Sequence, residues 1–124
     1  MAGLDPENWE DLRAQGHRML DAMIDTIRDV AAGPVWQPMP AALRESFAVA
    51  PLPKEGRDLA QWHARLVEAV QPYAVGNRHP RFMGWVHGGG TDQGMLADML
   101  AAGLNANLGG RNHAPVDVER MVIR

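Results

Sequence analysis

The stretch "WVHGGGTDQG", residues 85 to 94, sets a histidine, three glycines, a threonine and an acid just ahead of an apolar helical pattern. Three kinds of chemistry use residues of this sort. An HGGG loop can offer backbone N–H groups to an esterase oxyanion. That role needs a serine on a G-x-S-x-G elbow. The only serine, Ser46, lies in "LRESFAV" with no elbow around it, and the hydrolase reading falls. Glycines before a helix N-terminus can cradle an anion, because free N–H groups and the helix dipole both favour negative charge there. The spacing of Gly88, Gly89 and Gly90 matches neither the dinucleotide nor the P-loop pattern, and such glycines equally serve a turn. His79, His87 and His113 could meet at a metal, but none has an H-x-x-x-H spacing or a carboxylate at a ligand-like interval. No metal site is expected. His79, ahead of Pro80, is expected to bond a backbone group. His87, between an aromatic and three glycines, is the histidine most suited to face a cleft.

A second polar group follows at Asn105, Asn107, Arg111, Asn112 and His113, set among glycines. Its side chains either satisfy their own loop backbone or line a polar pocket. Met95 and Met99 read most simply as core.

These residues need elements to hold them. Asp5-Pro6 reads as a cap and a first helical residue. Trp9, Leu12, Gly16, Met19, Met23, Ile27 and Val30 then recur at spacings of three and four, predicting a helix of about 25 residues with one apolar stripe. Glu10, Arg13, Arg18, Asp21, Asp25 and Arg28 take the other face, and Gly33-Pro34 ends the helix. Two readings of the stripe stand. It meets another chain, or it packs on the later helices as core.

Residues 34 to 53 hold five of the nine prolines and read as an extended strap with one short helical turn at "AALRESF". Trp36, Phe47 and Val49 suit a strap lying on another surface. Asp58 caps a further helix, with Leu59, Trp62, Leu66 and Val70 inward, ending near Pro72 to Gly76. Nine of the thirteen glycines then lie between 76 and 110. A short strand is expected at "FMGWV". Thr91 or Asp92 caps the next helix, with Met95, Leu96, Met99, Leu100 and Leu104 inward. Pro115 opens a last helix, with Val118, Met121 and Val122 on one side, and the chain stops inside it.

The 124 residues carry a net charge of −3 and no cysteine. No basic surface speaks for nucleic acid or an anionic membrane. Without cysteine there are no disulfides, thiolate nucleophiles or thiolate metal sites, which fits a cytoplasmic protein. The N-terminus has no signal-peptide pattern, and no apolar run nears the roughly 20 residues of a bilayer span.

The order of these pieces resembles the group II pyridoxal-phosphate-dependent decarboxylases, the aromatic-L-amino-acid decarboxylase family. The resemblance rests on His79-Pro80 with Phe82 after it, "MLADML" at 95 to 100, Asn105 and its loop, Pro115 and Glu119. "GHRMLD" at 16 to 21, Pro34-Val35 and the proline-rich strap extend it over essentially the whole chain. It implies a mainly α segment: a helical dimerisation arm over 1–75, with the strap at 34–53, then the truncated start of a fold type I, α/β transferase-like large domain over 76–124. It implies a homodimer through the N-terminal helices, and a carboxy-lyase that releases CO2 from an amino acid held on pyridoxal 5'-phosphate as an external aldimine. Trp85, Val86, His87 and Gly88 would line the substrate pocket. Asn107, Leu108 and Gly109 would reach the partner subunit's active site. Where animal members carry an aromatic-aromatic-proline-threonine run, this chain has Trp85-Val86-His87-Gly88, so an aromatic substrate is not implied. The interval from Pro115 to Glu119 is also shorter than the family's. The only lysine, Lys54, sits in "PLPKEG" and lacks the family's D-x-H-K setting. No catalytic or cofactor-binding residue is therefore expected in this segment, and the chain alone is expected to be inactive. A stand-alone helical dimerisation module is the alternative, though it leaves the glycine- and asparagine-rich region without a purpose.

Overall fold

A computed structural model describes residues 5–84, 86–106 and 114–123. The chain divides into two compact units, Met1–His87 and Gly88–Arg124. The expected division at 75 and 76 falls inside the first. Every regular element among the described residues is helical, so the mainly α expectation holds and the strand at "FMGWV" is absent. Gly84 interrupts that stretch, Val86 is its one β-branched residue, and no neighbouring strand is present among the described residues to pair with it.

In the first unit, α1 spans Trp9–Arg28. Its cap is Asn8 rather than the expected Asp5. The Asn8 side-chain oxygen accepts from the N–H groups of Glu10 at 2.9 Å and Asp11 at 3.4 Å, while its amide donates to Asp11 at 2.8 Å. An aspartate cannot make that reciprocal donation, because its ionised carboxylate only accepts. Glu10 and Asp11 also suit the positive end of the dipole. At the other end Arg28 pairs with Asp25 and Asp29, each at 2.7 Å. The guanidinium holds the Asp29 carboxyl below its ordinary value. That stabilisation exists at neutral pH and fades as pH falls through the lowered value; at an exposed site it is small. The helix is shorter than expected. After Arg28 the chain tightens into a 3-10 turn, Val30–Ala32, a common way to satisfy the last carbonyls.

The short helical turn expected in the strap is a two-turn helix, α2, Ala41–Ala48. Helix α3, Leu59–Ala69, starts at Asp58, whose carboxylate accepts from the Ala60 N–H at 3.1 Å. It gives way to a 3-10 turn, Gln71–Tyr73, as Pro72 removes a donor. Arg57 stacks over Trp62 and Arg65 over Phe47, with centroid distances of 5.4 and 5.1 Å, the latter joining α2 to α3.

The 3-10 turn is where the unit is tied together. The Gln71 amide donates to Thr26 Oγ1 on α1 at 2.8 Å, and the Gln37 amide of the strap donates to the Pro72 carbonyl at 3.1 Å. Gly76, at φ +76°, lies against the Val35 carbonyl so closely that a Cβ would overlap its oxygen. Ala69, at the end of α3, is 1% exposed.

The apolar stripes are covered less than the sequence implied. The deepest residue of α1 is Gln15, with Ala22 and Thr26 partly covered on the same face. At about 100° per residue, that face is turned roughly 70–80° from the centre of the stripe. Met19, Leu20 and Ile27 are half-buried, but Trp9, Leu12, Gly16, Met23 and Ile24 are exposed. Leu59, Trp62, Leu66 and Val70 of α3 are exposed too, contrary to the inward expectation. Single-chain packing is deepest at one edge of α1 and at the last turn of α3.

In the second unit, α4 spans Asp92–Leu104, with Thr91 Oγ1 accepting from the Gly94 N–H at 3.0 Å. Its C-cap is Asn105 at φ +46°, donating its backbone N–H to Ala101 and Ala102. Helix α5 spans Ala114–Val122. Met95 is half-buried, but Leu96, Met99, Leu100 and Leu104 are exposed rather than inward. Val116 is buried in α5, while Val118, Met121 and Val122 are exposed. Among the described residues no helix is long and apolar enough to cross a membrane.

Gly76→Ala should test the tie. A side chain there meets both a positive φ and the Val35 carbonyl, a combined strain of at least about 1–3 kcal/mol. The expected result is a Tm lowered by more than about 4 °C in circular dichroism melts. An unchanged Tm would mean that the strap does not depend on Gly76.

Candidate functional site

The glycine-rich segment from 76 is organised around His79. The imidazole is 3% exposed. The His79 N–H donates to the Gly76 carbonyl at 2.9 Å, and the Phe82 N–H donates to the His79 carbonyl at 2.9 Å. Nδ1 accepts from the Arg81 N–H at 3.0 Å, the backbone bond expected of a histidine before Pro80. With Nδ1 as acceptor, the neutral ring carries its proton on Nε2. That buried Nε2 has no hydrogen-bond partner among the described residues.

Phe82 and His87 form a pair that sequence reasoning missed. Their ring centroids lie 6.1 Å apart, tilted by 43°. The Phe82 ring folds over the backbone of Gly84, where a Cβ would overlap it. The signal was present as Phe-x-Gly, in which a bare Cα lets an aromatic ring lie over the chain two residues on. His87 is exposed. Met83 and Val86 project into solvent at 95% and 105% exposure.

The expected substrate-pocket residues are thus divided. Val86 and His87 belong to the first unit and Gly88 to the second, each exposed in its own unit. Trp85 lies outside the described residues. So do Asn107, Leu108 and Gly109 of the expected partner-facing loop, and Arg111, Asn112 and His113. Of the second polar cluster, Asn105 serves its own backbone as a left-handed helix cap. Asparagine tolerates that conformation better than other residues with a side chain.

The alternative chemistries can be read against the same geometry. Ser46 Oγ donates to the Leu43 carbonyl at 2.7 Å inside α2, a bond that ties the hydroxyl to its own helix. Gly90, at φ +69°, turns the chain into Thr91. Asp92 then places a carboxylate in the first turn of α4, where a bound anion would be repelled. No group of three metal-ligating side chains occurs among the described residues. Pyridoxal phosphate needs a lysine for its Schiff base, an acid at the ring nitrogen and donors for its phosphate. Lys54 stands exposed in an irregular part of the strap, so the described residues do not make a site for that cofactor.

No family model, curated protein or solved structure matches the chain.

His79→Leu removes both the acceptor for Arg81 and the orphaned buried donor. Arg81 is exposed, so water can take its amide. The Arg81 amide should exchange with deuterium roughly tenfold faster, the equivalent of one hydrogen bond, while global stability shifts by less than about 1 kcal/mol. A large global loss would show that Nε2 has an acceptor in solution.

Proposed function

We propose that this chain is the N-terminal part of a pyridoxal-phosphate-dependent amino-acid decarboxylase of group II. In that reading residues 1–75 form the arm by which two copies assemble, and residues 76–124 begin the fold type I catalytic domain. The observation that carries it is helix α4. The sequence "DQGMLADMLAAGL" is apolar on most sides, and helices of that kind belong inside a larger body. Yet Leu96, Met99, Leu100 and Leu104 are 40 to 71% exposed. The ordered resemblance of the sequence adds the family.

The full enzyme would release CO2 from an amino acid, with the electron-withdrawing cofactor held by residues beyond this segment. Within this chain, His87, backed by Phe82, would present a polar imidazole at the substrate wall with Trp85, Val86 and Gly88. Asn107, Leu108 and Gly109 would serve the partner's site. A small-molecule amino-acid substrate, a homodimer and a cytoplasmic location go with this reading. Neither nucleic acid nor a membrane has a part in it.

The alternative reading is a non-enzymatic helical pairing module. It shares the arm and differs in what lies downstream.

One measurement separates these readings, and two more test the decarboxylase reading. An open frame continuing past Arg124 to an Asp-x-His-Lys motif is expected for the decarboxylase, and an in-frame stop with no such motif overturns it. Mixed with pyridoxal phosphate and borohydride, the 124-residue chain should label at Lys54 no more than a free lysine analogue does. Specific labelling with CO2 release would overturn the assignment of the cofactor site to residues outside the segment. In the full-length enzyme, His87→Ala should change turnover or substrate preference. If both are untouched, the pocket wall lies elsewhere.

A further inference from the structure

The first turns of α1 and α3 line a common groove of about 470 Å³. That lies within the roughly 300–1,000 Å³ of small-molecule sites. Gln15 lines the groove and is only 6% exposed. Its side-chain oxygen accepts from Arg18 Nε at 2.9 Å and from Arg18 Nη2 at 2.6 Å, which fixes the orientation of the amide. The two N–H donors of Gln15 Nε2 are left without an acceptor among the described residues. Buried amide donors are normally paired, because an unpaired one has lost its water for nothing. This one calls for an acceptor from outside the chain. Arg18 lines the same groove and keeps its Nη1 donors unused. A guanidinium and an amide held together in this way suit a carboxylate.

The rest of the groove carries the opposite sign. Glu7, Asp11 and Asp58 line it as well. Asp11 accepts from the Asn8 amide and Asp58 from the Ala60 N–H, each through one oxygen, so each keeps an oxygen for a further donor. A simple anion would be repelled by three carboxylates, and a simple cation would leave the Gln15 donors unmet. A molecule that carries both charges a few bonds apart answers both demands. Pro6, Leu12 and Leu59 add an apolar lining. We propose that this groove binds a free α-amino acid with an apolar side chain. Its carboxylate takes the donors of Gln15 Nε2 and Arg18, its ammonium turns to Glu7, Asp11 and Asp58, and its side chain lies against Pro6, Leu12 and Leu59. The groove is separate from Trp85, Val86, His87 and Gly88. It needs neither the cofactor nor any residue downstream of this chain, so it stands or falls apart from the decarboxylase reading.

L-leucine is the probe. Titrated into the ¹⁵N-labelled 124-residue chain, it should shift the Gln15 side-chain amide pair in a saturable way. That pair is identified by its loss from the spectrum of Gln15→Met. Leucinamide keeps the ammonium and lacks the carboxylate, while N-acetyl-leucine keeps the carboxylate and lacks the ammonium. Each should bind at least about tenfold more weakly than L-leucine, the equivalent of one lost charged hydrogen bond. Arg18→Met should weaken L-leucine by a similar factor. Leucinamide binding as tightly as L-leucine would overturn the proposal by showing a groove for amines alone. N-acetyl-leucine binding as tightly would overturn it in favour of a site for carboxylates alone. No shift of the Gln15 amide at about 10 mM L-leucine would overturn it outright. The ligand series is run on the unaltered chain, so it decides the matter even where a variant fails to fold.

Discussion

Between Val35 and Gly76 there is no room for a side chain, and the first unit depends on that contact. It fixes where the strap leaves α1 and where α3 ends. The 3-10 turn beside it donates from Gln71 to Thr26 and accepts from Gln37 at the Pro72 carbonyl. Three segments distant in sequence are thereby held by polar bonds and one backbone contact. Apolar packing contributes little to this tie. Ala69 is the one hydrophobic residue of the described part of the first unit that is fully covered. The long helices are free to keep their apolar faces outward because backbone geometry and a few amides, not a core, set the corner.

That arrangement explains how the site region is presented. The chain leaves Gly76 through the turn locked by His79 and emerges at Phe82. There a glycine two residues later allows the ring to lie over the backbone and support His87. The imidazole is therefore displayed from a braced turn rather than from a free loop. Met83 and Val86 stand fully exposed beside it. Side chains so apolar and so open suit a surface completed by other residues. The same holds for α4, whose composition leaves it little solvent face.

The helix caps show how local chemistry chooses among signals. Asp5-Pro6 carries a familiar start pattern, yet Asn8 begins α1 because its amide can accept from the helix and donate to Asp11 at once. Thr91 and Asp58 cap as expected, since each acts through one oxygen on one nearby N–H. Asn105 was legible as a polar loop residue, but its left-handed backbone is what ends α4. Trp85 and the 107–113 loop lie outside the described residues, so that part of the expected site is known from sequence alone.

What the sequence by itself determined is local: helix positions, two of the caps, the strap and the single-lysine, single-serine limits on chemistry. These follow from spacing, side-chain donors and proline geometry within a few residues. Tertiary structure decided which faces are covered. The period of three and four marks an apolar stripe, but it cannot say whether the stripe is met by the same chain. In α1 the chain's own contact centres on Gln15, Ala22 and Thr26, to one side of the stripe. The corner at Gly76 aims α3 at that side. The direction of a helix is set by contacts between residues some forty positions apart, and no local pattern records them.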